Sequence, residues 1–260
     1  MSGILEGKVA IVTGAGRGIG RGIAEEFAAE GAHVVVASRS QGSVDAVVEA
    51  IRATGGKASG ALFDAGVPDE VRAMVEETGR TFDRIDVLVN NAQSFGTREK
   101  PANGNPPAGL ENFPQDQWDW VFATGFTGTM VAMQAAFPFM KEHGGSIINF
   151  GSGRGTLATP GTAAYNVTKE AVRTLSRSAA NEWGQYGIRV NVMSPIIATD
   201  SFTNDLADPD VRQAFINTIP LRFVGDTREA GRVAVFLAGP DSRYMTGHTF
   251  MVDGGYTPRV

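Results

Sequence analysis

Lys8-Val-Ala-Ile-Val-Thr-Gly-Ala-Gly-Arg-Gly-Ile-Gly20 passes from a β-branched apolar run straight into a glycine-rich turn and on into a helical pattern. A short apolar run closed by glycines reads as a buried strand, and Gly18–Glu30 behind it reads as a helix. Gly14, Gly18 and Gly20 fit a GxxxGxG spacing. The GxGxxG spacing does not fit, because Ile19 or Arg21 falls on its last position. Glycines here allow a tight turn and a close backbone approach, while the first helical amides point at a pyrophosphate. No Gly-Lys-Ser/Thr ending follows, which argues against a nucleoside triphosphate loop. The expected ligand is a dinucleotide.

The same alternation continues along the chain. Strand patterns occur at Lys8–Thr13, His33–Ser38, Lys57–Phe63, Asp86–Val89, Ser146–Phe150, Ile188–Met193 and Thr249–Val252. Helical patterns fill Gly18–Glu30, Ser43–Thr54, Pro68–Phe82, Asp116–Lys141, Ala163–Tyr186 and Thr227–Ala238. Near-continuous apolar strands joined by helices imply a parallel sheet covered on both faces. Right-handed crossovers make it an α/β, doubly wound, Rossmann-type sheet of about seven strands. The 260 residues, 42% of them apolar, are enough for one such domain spanning 1–260, and no repeat or linker divides them. Two stretches interrupt the rhythm. Ser94–Phe113 is rich in Pro, Gly and Asn and is expected to be a long irregular loop. Residues 196–220, broken by Pro209 and Pro220, form a substrate-lid candidate. Either can face a substrate or run over the surface.

The net charge of −5 argues against non-specific nucleic-acid binding. With no cysteine and three histidines, none near another motif, disulfides are excluded and no metal site is expected. Residues 1–8 lack a basic region followed by an apolar one, and no apolar run is long enough to span a membrane. The expected residence is cytoplasmic.

The end of the second strand addresses which dinucleotide. A carboxylate there binds the adenosine 2′-hydroxyl, whereas an arginine accommodates a 2′-phosphate. The strand ends Ala37-Ser38-Arg39-Ser40, without an acid, and Arg17 in the glycine turn adds a second cation. NADP(H) is therefore expected over NAD(H).

Tyr165-Asn-Val-Thr-Lys169 puts a phenol and an ammonium four residues apart in a helical segment, on one face. Such a pair alone is an ordinary polar helix face. Its company changes the reading: TGAGRGIG at 13–20, Asp64 after the third strand, Asn90-Asn-Ala at 90–92, and Ser152 thirteen residues before Tyr165. Asn191-Val-Met-Ser-Pro195, Thr199, Thr246-Gly247 and Val252-Asp-Gly-Gly255 follow in order. From Gly7 to Gly255 the chain resembles the short-chain dehydrogenase/reductase family. The resemblance implies that Tyr165 is the general acid/base, Lys169 its activator and a ligand of the nicotinamide ribose, and Ser152 the hydroxyl that holds the substrate oxygen. It further implies cofactor contacts from Gly14, Arg17, Gly18, Ile19, Gly20, Ser38, Arg39 and Thr199. Asp64 is expected at the adenine and Asn90 near the adenosine ribose. Homotetramers are common in the family. A free phenol titrates near ~10, and a neighbouring ammonium is expected to favour the phenolate.

The family pattern is broken in three places. Trp118-Asp-Trp-Val-Phe-Ala-Thr-Gly125 carries glycine where many members have an asparagine that maintains a helix kink. Glycine permits a kink as well. Gln93 replaces the glycine of NNAG, with two roles open to it: contact with a substrate oxygen, or a cap on the long loop. Ile196 replaces the glycine of Pro-Gly after the sixth strand. Gln93, Ile196 and Phe202, with Phe95, Leu157 and Ile197, are the substrate-pocket candidates. The leading expectation is NADP(H)-dependent interconversion of a ketone and a secondary alcohol. The alternatives are a dinucleotide-binding sensor or scaffold with impaired catalysis, and a non-redox dehydratase or epimerase.

Overall fold

The computed structural model describes residues 3–102, 107–199, 202 and 207–257. Parts of the proposed loop (103–106) and lid (200, 201, 203–206) lie outside the described residues. Seven parallel strands form the main sheet: β1 (Val9–Thr13), β2 (His33–Ser38), β3 (Lys57–Leu62), β4 (Val87–Asn90), β7 (Gly145–Phe150), β8 (Ile188–Pro195) and β9 (Thr249–Val252). Their order is β3-β2-β1-β4-β7-β8-β9. A separate two-residue hairpin, β5 (Phe95–Gly96) with β6 (Pro101–Ala102), starts the long excursion, and a single 3₁₀ turn, Leu110–Asn112, lies near its end.

Alternation of side chains between two covered faces explains why the inner strands β1, β2 and β4 are largely apolar. Ala10, Val12, Val34, Val36, Val87 and Val89 face one core, shared with α1 (Gly18–Ala29), α2 (Gln41–Ala53) and α9 (Thr227–Ala238). Ile11, Val35, Ala37 and Leu88 face the other, shared with α3 (Pro68–Phe82), α5 (Gly128–Met140) and α7 (Ala163–Trp183). The remaining described helices are α4 (Gln115–Phe122), the single-turn α6 (Gly153–Thr156) and α8 (Pro209–Ile216). None of the described helices is long and apolar enough to cross a membrane.

The expected helix over 116–141 contains a defect. Between α4 and α5 the backbone runs through a π-helical turn, Ala123–Thr127, centred on Gly125. Such turns free carbonyls from the α-helical ladder, and here side chains take them. Thr129 Oγ1 donates to the Gly125 carbonyl at 2.8 Å, and Gln93 Nε2 donates to the Val121 carbonyl at 3.0 Å.

At the opposite end of the sheet Asp86 anchors the start of β1. It accepts from the Val9 amide at 3.0 Å, Lys8 Nζ at 3.1 Å and Arg84 Nε at 2.8 Å. Burial pushes its pKa up, but these donors outweigh burial and hold it below 3.8. A depressed carboxylate contributes stability above its unfolded pKa and loses it as pH falls through the folded one. Lys8 and Arg84 remain partly solvated, so Asp86→Ala is expected to cost only about 2 kcal/mol at pH 7. Urea unfolding should show that difference shrinking as the pH drops below 3.8.

Candidate active site

Strand order reverses between β1 and β4, and a cleft of about 340 Å³ opens there at the strands' carboxyl ends. Its walls include Gly14, Arg17, Gly18 and Ile19 of the first turn, Ser38 and Arg39 after β2, Asp64 after β3, and Thr199 after β8. Gly14 has φ +67°, which a side-chain-bearing residue rarely adopts. A Cβ on Gly14 would also lie 2.8 Å from Asn91 Nδ2. The turn is tied to β4 by one clasp. Thr13 Oγ1 donates to the Val89 carbonyl at 3.1 Å and accepts from the Asn91 amide at 3.0 Å. Asn91 Nδ2 returns a bond of 2.9 Å to the Thr13 carbonyl.

Four residues expected at the cofactor lie off this cleft's lining. The Asn90 side chain points into the core, where it donates to Asn149 Oδ1 at 2.8 Å, directly across the β4–β7 register. Strand alternation is the reason: the next residue, Asn91, is the one that lines the cleft. Gly20 is a packing residue, since a Cβ there would meet the Gly14 carbonyl oxygen at 2.5 Å. Tyr165 and Lys169 are absent from the cleft lining, and Phe95 connects Tyr165 to it. The Phe95 ring lines the cleft, and its centroid is 5.3 Å from that of Tyr165.

Ser152 and Tyr165 are brought together. Ser152 ends the segment after β7 and caps α6, its Oγ accepting from the Arg154 amide at 3.2 Å. The same hydroxyl lies near enough to the Tyr165 phenol to favour its ionised form. Arg173, two turns beyond Tyr165 on the same helix face, fixes the spacing between the segments: its guanidinium donates to the Ser152 carbonyl at 3.0 Å. Lys169 is 4% exposed, with Nζ 5.3 Å from the centroid of the Tyr165 ring. The ammonium thus lies over the ring face. Burial lowers its pKa to about 8.

The phenol itself moves opposite to expectation. Burial raises the Tyr165 pKa, and the nearby Ser152 hydroxyl and the Arg154 charge offset this only in part. Desolvation disfavours the phenolate more than the nearby groups favour it. Tyr165 therefore holds its proton at neutral pH.

The substrate-pocket candidates divide. Gln93 lines the cleft. Phe202 caps onto the Thr199 hydroxyl through its amide at 3.2 Å, and its ring packs edge-on to Phe215 of α8 at 5.6 Å. Ile196 is partly buried beside the end of β9, its amide donating to the Val252 carbonyl at 2.9 Å. Leu157 is exposed. Ile197, offered as a pocket wall, is instead buried in the core with α9. Its apolar side chain gave no signal separating the two fates.

Comparison with known proteins identifies the family. Residues 14–257 match the family model described as Enoyl-(Acyl carrier protein) reductase. The chain is 38% identical to a 12alpha-hydroxysteroid dehydrogenase of a Clostridium species, over 99% of both chains. It is 37% identical to a 3-oxoacyl-(acyl-carrier-protein) reductase of Staphylococcus aureus, over 95% of this chain and 97% of that one. Among solved structures, the gluconate 5-dehydrogenase of Burkholderia cenocepacia in complex with NADP and tartrate superposes with a TM-score of 0.89 at 32% identity, covering 98% of this chain and 97% of that one. A family model matched over residues 14–257, relatives matched over nearly the whole chain, and a fold shared with a solved dehydrogenase place the chain in the short-chain dehydrogenase/reductase family of oxidoreductases.

Proposed function

We propose that this protein is a cytoplasmic NADP(H)-dependent oxidoreductase that interconverts a ketone and a secondary alcohol, acting chiefly in carbonyl reduction. The observation that carries the reading is the meeting of the Tyr165 phenol with the Ser152 segment, with Lys169 Nζ over its ring and Phe95 of the cleft wall packed against it. The cleft fits a dinucleotide bearing a 2′-phosphate. No acid closes β2, and Arg39, which makes no ion pair with a described residue, shares the wall with Ser38. Gly14, Gly18 and Ile19 would hold the pyrophosphate, Asp64 the adenine side, and Thr199 the nicotinamide side. The nicotinamide supplies the hydride.

The chain's own residues handle the oxygen. Ser152 Oγ donates to the carbonyl oxygen and holds it beside the phenol. Tyr165 gives its proton to that oxygen as negative charge develops there. Lys169 offsets the charge left on the phenolate. Phe95 covers the ring and limits access of water. In the oxidative direction Tyr165 acts as the base.

The decisive assay is NADPH consumption over a panel of ketones and diketones, including 3-oxoacyl thioesters and oxosteroids. Bound NADPH with no turnover of any of them would favour the sensor reading. Cofactor retained through purification without net redox change would favour a dehydratase or epimerase. Arg39→Ala is expected to raise the Kd for NADPH about ten- to a hundredfold, as loss of charge-assisted bonds to phosphate implies, with the Kd for NADH little changed. Equal effects in the two titrations would remove Arg39 from phosphate recognition. Association as a homotetramer through the 122–140 and 171–183 segments belongs to the same reading, and mass in solution measures it.

A further inference from the structure

Ser152 stands in a glycine-rich run, Gly151-Ser-Gly-Arg-Gly155. Glycines leave the chain freer than other residues do, so a group outside the run must hold the serine in place. Arg173 of α7 reaches it with a side chain only 11% exposed. Its Nη2 donates to the Ser152 carbonyl at 3.0 Å and lies 3.5 Å from Ser194 Oγ near the end of β8. Its Nη1 donates to Thr156 Oγ1 of α6 and pairs with Glu170 Oε1 at 3.1 Å. The Gly155 amide shares the Ser152 carbonyl at 3.2 Å. One planar cation thus ties α7 to the serine, to the turn that follows it and to the neighbouring strand.

The glycines of the run fit this cation and its partner. A Cβ on Gly151 would lie 3.2 Å from Arg173 Nε and 2.8 Å from Val192 Cγ1. A Cβ on Gly155 would lie 2.5 Å from Glu170 Oε1. Ser152 is therefore flanked by two bare positions against which the Arg173–Glu170 pair packs. An arginine serving only as a surface charge would need neither. A lysine could not replace it, because a single ammonium on a flexible stem does not present the fork that meets the Ser152 carbonyl and the Thr156 hydroxyl together.

We propose that Arg173 is a positioning residue for Ser152. By holding the serine's carbonyl from α7, the helix that also carries Tyr165, it sets where the serine hydroxyl stands relative to the phenol. The proposal rests on the reading of Ser152 and Tyr165 as the pair that handles the carbonyl oxygen, since Arg173 is absent from the cleft lining and acts through Ser152.

A double-mutant cycle separates this role from a purely structural one. Arg173→Met keeps an unbranched side chain and removes its donors, and it is made in the wild type and in Ser152→Ala. Full-length protein is assayed with NADPH and a ketone it reduces. Arg173→Met should lower kcat about tenfold, as expected for a lost hydrogen bond from a charged group, with NADPH affinity near wild type. In Ser152→Ala the same substitution should change kcat by less than about twofold, because the hydroxyl it positions is already gone. An unchanged kcat in Arg173→Met, or an equal loss in the two backgrounds, would overturn the proposal. Should Arg173→Met fail to fold, Arg173→Lys, which keeps a cation in the same space but loses the fork, enters the cycle with the same two expectations.

Should the wild type reduce no ketone, the proposed reaction fails separately, and Arg173 is judged by hydrogen exchange. Amides of residues 152–157 should exchange about tenfold faster in Arg173→Met, while those of β1 keep their wild-type rates. Unmoved rates across 152–157, or an acceleration shared equally with β1, would overturn the assignment.

Discussion

Tyr165→Phe is expected to fold, bind NADPH as the wild type does, and reduce ketones at least about 10²- to 10⁴-fold more slowly, the range spanned by general acid catalysis. The substitution removes one oxygen and leaves the ring. Packing of that ring against Phe95, at 5.3 Å between centroids, is retained, as is the Lys169 ammonium 5.3 Å above its face. At most one neutral polar contact, with Ser152, is lost, worth about 1 kcal/mol. The melting temperature should therefore barely move. Single-turnover NADPH oxidation reports the chemistry, and a fluorescence titration reports the cofactor. Turnover within a factor of about ten of wild type would take Tyr165 out of proton transfer.

Lys169→Met is expected to abolish reduction and to stabilise the fold at neutral pH. Lys169 is 4% exposed as a residue, and burial lowers the pKa of its ammonium from 10.5 to about 8. Below about 8 the folded chain bears the full cost of a buried charge, roughly 3 kcal/mol for a shift of this size. Between about 8 and 10.5 the unfolded chain binds the proton that the folded chain has released, so stability rises with pH across that window. The methionine variant keeps much of the volume and loses the titration. Urea unfolding of both proteins at pH 7 and pH 10 should show the variant more stable at the lower pH and the gap closing at the higher one. A parallel pH dependence in the two would mean that the ammonium is not desolvated. Stability sacrificed at a residue needed for turnover is the usual mark of a working site.

Much of this arrangement was legible in one dimension. The β1 run and its glycines identify the strand, the tight turn and the first helix, because each depends on contacts within a few residues. Tyr165 and Lys169 fall on one helix face by periodicity alone. The absence of an acid after β2 is a matter of reading one position. The π turn was signalled only by a glycine in an unexpected place, and its extent, Ala123–Thr127, depends on which carbonyls find partners elsewhere. The sequence reading places Asn90, not Asn91, near the adenosine ribose. The strand's pleat sends one into the core toward Asn149 and leaves the other in the cleft.

The direction of the Tyr165 shift could not be read from spacing. Proximity to a lysine suggests a phenolate, but burial competes with it, and burial is set by Phe95 and the elements packed around α7. Arg173 gave no motif, yet it holds the Ser152 carbonyl from two turns beyond Tyr165. Local pattern determined the order of strands and helices, the phosphate-binding turn and the shared helix face, because backbone periodicity and glycine conformation act over short range. Tertiary structure alone decided that Gln93 fills the space left by Gly125, that Phe95 covers Tyr165 and that Ile197 is core. Those outcomes depend on volume and desolvation shared between segments far apart in the chain, and such quantities exist only once the chain has packed.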